Sequence, residues 1–73
     1  DSFGAERMTT REREVIVMVL KGYSSESIAA LLDISRATVK THRKNAYEKL
    51  NISTQAELLS AFLDHVRRLS PAS

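Results

Sequence analysis

Lys40 and Lys44 stand four residues apart, with Thr41 beside the first of them. On a helix that spacing puts both ammonium groups on one face. The chemistry open to such a face is recognition rather than bond breaking. A lysine donates to the guanine edge or to phosphate as a mobile point charge, and a threonine methyl suits the methyl of thymine. Arg36, Arg43 and Lys49 lie in the same stretch, with only Glu48 against them. Residues 35–50 therefore carry +4, leaving −2 on the rest of a chain whose formal charge is +2. A segment that collects the positive charge is expected of an element facing phosphates, although a solvated helix face also looks like this.

Other chemistry finds little support. There is no cysteine, so disulfides and thiolate metal sites are excluded. His42 and His65 are far apart in sequence and suggest no metal site. No nucleophile or carboxylate pair accompanies His42, which reads as a half-buried packing residue or a phosphate donor rather than a catalytic base. With 73 residues the chain buries a small core and has little room for an enclosed catalytic pocket. The expectation is a protein that is not an enzyme and needs no cofactor. No apolar run reaches the roughly 18 residues of a membrane span, and no signal peptide is visible. The start Asp1-Ser2-Phe3-Gly4 reads as part of a longer protein. Residues 1–7 are expected to be a disordered linker from an upstream regulatory domain, 8–69 the folded domain and 70–73 a disordered tail.

The basic segment needs elements to hold it, and the sequence predicts four helices and no strands. Thr9 with Glu12 forms a capping box, opening a helix whose apolar positions are Val15, Ile16, Met18 and Val19 and which Gly22 stops. Val17 widens that helix's apolar surface to a second side, either simply exposed or a contact. Ser24 or Ser25 caps a short second helix with Ile28, Ala29, Leu31 and Leu32 as its inward set. Asp33-Ile34 makes a turn, and Ser35 caps a third helix that turns Val39, Ala46, Tyr47 and Leu50 inward. Asn51-Ile52-Ser53 breaks the pattern. Thr54 with Glu57 forms a second capping box, opening a last helix to about Leu69, and Pro71 lies beyond its end.

The second and third helices meet the steric needs of a helix-turn-helix. Ala29 supplies the small residue where the two helices approach, and Val39, ten residues later, plugs the angle between them. Asp33 occupies the region where glycine is common, and Asp tolerates left-handed backbone better than most residues. The alternative for such a pattern is a plain helical bundle with no ligand.

The strings Met8-Thr9-Thr10-Arg11-Glu12-Arg13-Glu14-Val15, Gly22-Tyr23-Ser24, Ile28-Ala29, Leu32-Asp33-Ile34-Ser35, Thr38-Val39-Lys40-Thr41-His42 and Lys49-Leu50 carry a resemblance. In order and spacing the chain resembles the LuxR/GerE-type DNA-binding domain of bacterial transcription regulators. The resemblance implies an all-α, four-helix domain whose third helix, about residues 36–50, enters the major groove of double-stranded DNA. It implies base contacts from Lys40, Thr41 and Lys44. Phosphate contacts are expected from Lys21 and Thr38 and from the helix starts at Ser25 and Ser35, with Arg36, His42 and Arg43 as further candidates. It also implies a homodimer on an inverted repeat, with the upstream domain a phosphoacceptor receiver or a small-molecule sensor, as in a response regulator. Four positions depart from the family pattern. Ser27 stands in place of Glu, Ala46 in place of a larger aliphatic residue, Gln55 in place of a basic residue and Leu58 in place of a small one.

The last helix has more apolar residues than one face needs. Leu59, Leu63 and Val66 are expected to pack on the domain, which leaves Leu58, Phe62 and Leu69 as an exposed stripe and dimer seam. The expected partners are therefore duplex DNA and a second copy of the chain, with RNA polymerase a further candidate. The expected location is the bacterial cytoplasm, on the nucleoid. Two rivals remain at this point. One is the −35-reading region of a sigma factor, and the other is a protein-interaction helical bundle.

Overall fold

The computed structural model describes residues 7–69, and in them every regular element is helical. The helices are α1 (Thr10–Leu20), α2 (Ser25–Leu32), α3 (Arg36–Leu50) and α4 (Gln55–Leu69). Residues 1–6 of the expected linker and the whole expected tail, 70–73, lie outside the described residues.

Each helix starts on a hydroxyl. Thr9 accepts from the Glu12 N–H at 3.1 Å, and the Glu12 carboxylate in turn accepts from the Thr9 N–H at 3.0 Å. Ser24 and Ser35 accept from the N–H groups of Ser27 and Thr38, each at 3.1 Å. Thr54 and Glu57 exchange bonds of 3.1 Å at the start of α4. These contacts satisfy donors that the first turn leaves without intrahelical partners. At Ser27, where the family pattern has a carboxylate, the hydroxyl accepts from Ser24 Oγ at 3.2 Å.

Three helices end alike. Gly22, Asp33 and Asn51 adopt left-handed backbone, with φ of 94°, 58° and 60°. In each case the next N–H reaches back over the turn: Tyr23 to the Met18 carbonyl, Ile34 to Ala29 and Ile52 to Tyr47, all at 3.0 Å. The chain reverses sharply without stranding its last carbonyls. Only the first of these stops is a glycine; Asp and Asn tolerate the same conformation at some cost.

The core is built from α1 outward. Val15, Ile16 and Val19 meet Ile28 and Ala29 of α2, Val39 and Ala46 of α3, and Leu58 of α4, with Met8 closing one end. Ala29 keeps 7% of its surface exposed and Val39 none, which is the close approach a helix-turn-helix requires. Ala46 is fully buried, with Tyr47 and Leu50 half-buried beside the core. Leu31 departs from expectation. Expected inward with Leu32, it is 59% exposed, because α2 is clasped on the side of Ile28 and Ala29 and Leu31 falls off that side.

The orientation of α4 reverses the sequence expectation. Leu58, expected in the exposed seam, is fully buried, while Leu59, Leu63 and Val66, expected in the core, are 49%, 46% and 42% exposed. Phe62, assigned to the seam with Leu58, is half-buried. Leu69 is exposed as expected. The cause is the entry into the helix. The left-handed Asn51 and the Glu57 carboxylate, which accepts from the N–H groups of both Ser53 and Thr54, fix the rotation of α4. That rotation drives Leu58, in the first turns, down against α1. Both stripes are leucine-rich, so hydropathy alone could not choose between them.

Candidate nucleic-acid interface

α3 is anchored by Val39 and Ala46 on its inner side, and this sets what it shows to solvent. Ala37, Lys40, Thr41, Lys44 and Glu48 are exposed and share the opposite face at helical spacing. Arg36 is exposed at the edge of that face, one turn before Lys40. No ion pair among the described residues involves Arg36, Lys40 or Lys44, so their charges remain available. Thr41 donates its hydroxyl to the Ala37 carbonyl one turn back at 3.1 Å, a common way for a helical threonine to satisfy its hydroxyl.

An open groove runs along this face into the turn before α4. It is lined by Lys40, Arg43, Lys44, Tyr47, Glu48, Ile52, Ser53 and Gln55. Arg43 is half-buried and donates to Ser25 Oγ at 3.2 Å, joining α3 to the start of α2. Two expected phosphate residues, Ser25 and Arg43, are thereby brought together. So are Ser35 and Thr38, whose hydroxyls lie 2.8 Å apart at the start of α3. Lys21 is not brought into the groove and lines a shallow dent on α1 with Arg13, Glu14, Val17 and Met18. His42 is half-buried and lies off the outward face. Burial pushes the Tyr47 phenol above its usual range, with the Arg43 charge working the other way.

Sequence reasoning missed one arrangement. Lys49, counted with the basic stretch, points back under the domain and bonds Glu12 Oε1 at 2.7 Å. The Glu12 side chain is only 5% exposed, while that of Lys49 retains 36%. The Lys49 ammonium holds the Glu12 carboxyl below the usual carboxylate range. Burial opposes this, and the Thr9 N–H and the charges of Lys49 and His42 support it. The last turn of α3 is gripped once more, because Arg7, expected in the linker, donates to the Lys49 carbonyl. A signal for the pair was present in the sequence: Glu12 stands three and four residues before Val15 and Ile16, on the inward side of α1. A carboxylate there needs a cation.

Residues 6–62 match the family described as bacterial regulatory proteins, luxR family. The chain belongs to the LuxR family. Several curated relatives carry the same domain. An HTH-type transcriptional regulator encoded in the exeN 3′ region of Aeromonas salmonicida is 48% identical over 65 residues, covering 89% of this chain and 33% of that protein. The transcriptional regulatory protein MctR of Rhizobium johnstonii is 44% identical over 62 residues, covering 85% of this chain and 29% of its own length. The response regulator protein TodT of Pseudomonas putida is 43% identical over 54 residues, covering 74% and 24%. The chain thus spans about a third or less of the length of these relatives. No solved structure matches it significantly.

Membership in the LuxR family makes this a helix-turn-helix domain of the DNA-binding, transcription-regulating kind. The family and its relatives are named for regulation, not for an enzyme activity. No helix among the described residues is long and apolar enough to cross a membrane, and none of their His, Asp and Glu side chains gather in a group of three that could hold a metal ion.

Proposed function

We propose that this LuxR-family domain binds double-stranded DNA sequence-specifically, as the output domain of a bacterial transcription regulator, with α3 in the major groove. The observation that carries the reading is the outward face of α3. Lys40, Thr41 and Lys44 stand opposite the buried Val39 and Ala46, and neither lysine is engaged by a carboxylate. α3 has 15 residues and so is about 22 Å long, enough to cross a groove about 12 Å wide and meet its floor along most of its outward face. In this reading Lys40, Thr41 and Lys44 meet base edges. Arg36, Arg43 with Ser25, and the Ser35 and Thr38 hydroxyls meet phosphates on either side, with Lys21 and His42 as outlying donors. Phosphate contacts position the helix and base contacts specify the site.

Two copies would occupy an inverted repeat, their recognition helices about 34 Å apart. The surface for pairing is the outward stripe Leu59, Leu63 and Val66 with Leu69, all exposed. A sensing domain elsewhere in the regulator would control this pairing, and the protein would work on the nucleoid in the cytoplasm, where its DNA is.

The test is a fluorescence-anisotropy titration of the chain against random duplex at 50 and 200 mM salt. With Arg36, Arg43 and Lys21 neutralising about three phosphates, counter-ion release lowers affinity about 40-fold between those salts. Salt-insensitive binding, or none, would overturn the reading in favour of a protein-interaction bundle.

A further inference from the structure

The outward face of α3 carries one acidic residue among its cations. Glu48 is exposed, lies two turns beyond Lys40 and one beyond Lys44, and lines the same groove. It sits in the last turn of α3, where the helix dipole disfavours a negative charge. Its one neighbour of opposite sign at helical spacing, Lys44, precedes it, which is the weaker order for such a pair. Among the described residues no hydrogen bond or ion pair engages its carboxylate. On a face meant for DNA the same charge repels phosphate. A residue that goes against local preference on a binding face is a candidate for a functional position.

We propose that Glu48 is a specificity-determining residue that accepts a hydrogen bond from the exocyclic amine of a cytosine in the major groove. This rests on the DNA-binding reading above. A carboxylate has only acceptors to offer at neutral pH, and cytosine N4 is the donor it reads in the major groove. Eight residues of helix separate Lys40 from Glu48, about 12 Å, which corresponds to roughly three to four base pairs along the groove. The cytosine therefore lies at one end of the segment that Lys40, Thr41 and Lys44 read. On the operator the amine answers the carboxylate; on unrelated sequence nothing does, so Glu48 weakens non-specific binding more than specific binding.

The experiment is selection of binding sites from a random duplex pool by the 73-residue chain and by its Glu48→Gln and Glu48→Ala variants. Affinities for the selected site and for unselected duplex are then measured at fixed salt. Glu48 is exposed, so a helical spectrum and an unchanged unfolding midpoint are expected and confirm that each variant folds. The wild type should select a fixed cytosine at the end of each half-site. Glu48→Ala should lose that preference, and Glu48→Gln should exchange it for adenine, whose edge suits an amide. Both variants should bind unselected duplex several-fold more tightly. The same selected site from all three proteins, or an equal affinity change on both duplexes, overturns the assignment of Glu48 while leaving DNA binding intact. Failure of the wild type to select any site overturns the DNA-binding reading and this inference with it.

Discussion

Replacing Lys49 by methionine should destabilise the domain more than replacing its partner Glu12 by glutamine, and burial sets the asymmetry. The Lys49 ammonium keeps 36% side-chain exposure, so without Glu12 it turns to water. The Glu12 carboxylate, 5% exposed, has no such exit and would be left accepting only from the Thr9 N–H. Stranding a buried charge costs about 3–5 kcal/mol; the remaining Thr9 bond reduces this to about 3 kcal/mol for Lys49→Met. Glu12→Gln keeps an acceptor for the Thr9 N–H and loses one charge-assisted bond to a partly solvated cation, about 1.5 kcal/mol. The double variant should cost about 2 kcal/mol, less than Lys49→Met alone, because no stranded charge remains. For a domain of this size each kcal/mol moves the midpoint by about 4–8 °C, so thermal unfolding followed by circular dichroism separates the three. Acid adds a second reading. The Glu12 pKa is lowered from 4.5 in the folded state, so its contribution is complete above that value and is lost as pH falls through the lowered folded value. Glu12→Gln should flatten the decline in stability below about pH 4.5. Additive single costs, or a Lys49→Met variant no weaker than Glu12→Gln, would refute the reasoning.

Other expectations test the interface and the last helix. Lys40→Ala and Lys44→Ala should each weaken binding to a selected operator by about 1–3 kcal/mol in anisotropy titrations, with unfolding midpoints unchanged. Arg36→Ala should weaken binding about equally on all sequences and lower the salt slope by about one, since its expected contact is a phosphate. Leu58→Ala, at a fully buried position, should cost about 2–5 kcal/mol in urea unfolding. Leu63→Gln, on the exposed stripe, should leave stability within about 0.5 kcal/mol and reduce self-association in sedimentation.

The sequence made helix starts and stops legible because local chemistry determines them. Thr9 with Glu12, Ser24, Ser35, and Thr54 with Glu57 cap as their types require. The close approach of α2 to α3 was equally readable, since a small residue and a plug were needed and Ala29 and Val39 supply them. What hydropathy could not give was rotation. α4 has leucines on both stripes, and only the backbone of residues 51–54 settles that Leu58 goes in and Leu59 out. At the interface, Lys40, Thr41 and Lys44 do share the outward face. Charge counting erred at Lys49, because a formal charge says nothing of direction; its place near the end of α3 turns it toward Glu12 and away from the groove. Lys21, likewise basic, caps the end of α1 outside that groove.

The double grip on the end of α3 has a mechanical side. Residues 7–12 hold Lys49 by its carbonyl and by its ammonium, whereas the other end of the helix is seated on Ser35 in the turn from α2. The helix is thus fastened at both ends as well as by Val39 and Ala46 in the core, and its far tip is tied to Arg7 and to Glu12 of α1. From Arg36 to Lys49 the helix runs about 20 Å, so a displacement of about 1 Å at the tip tilts the axis by about 3°. The contact from Arg7 therefore bears on the same helix that aims Lys40 and Lys44.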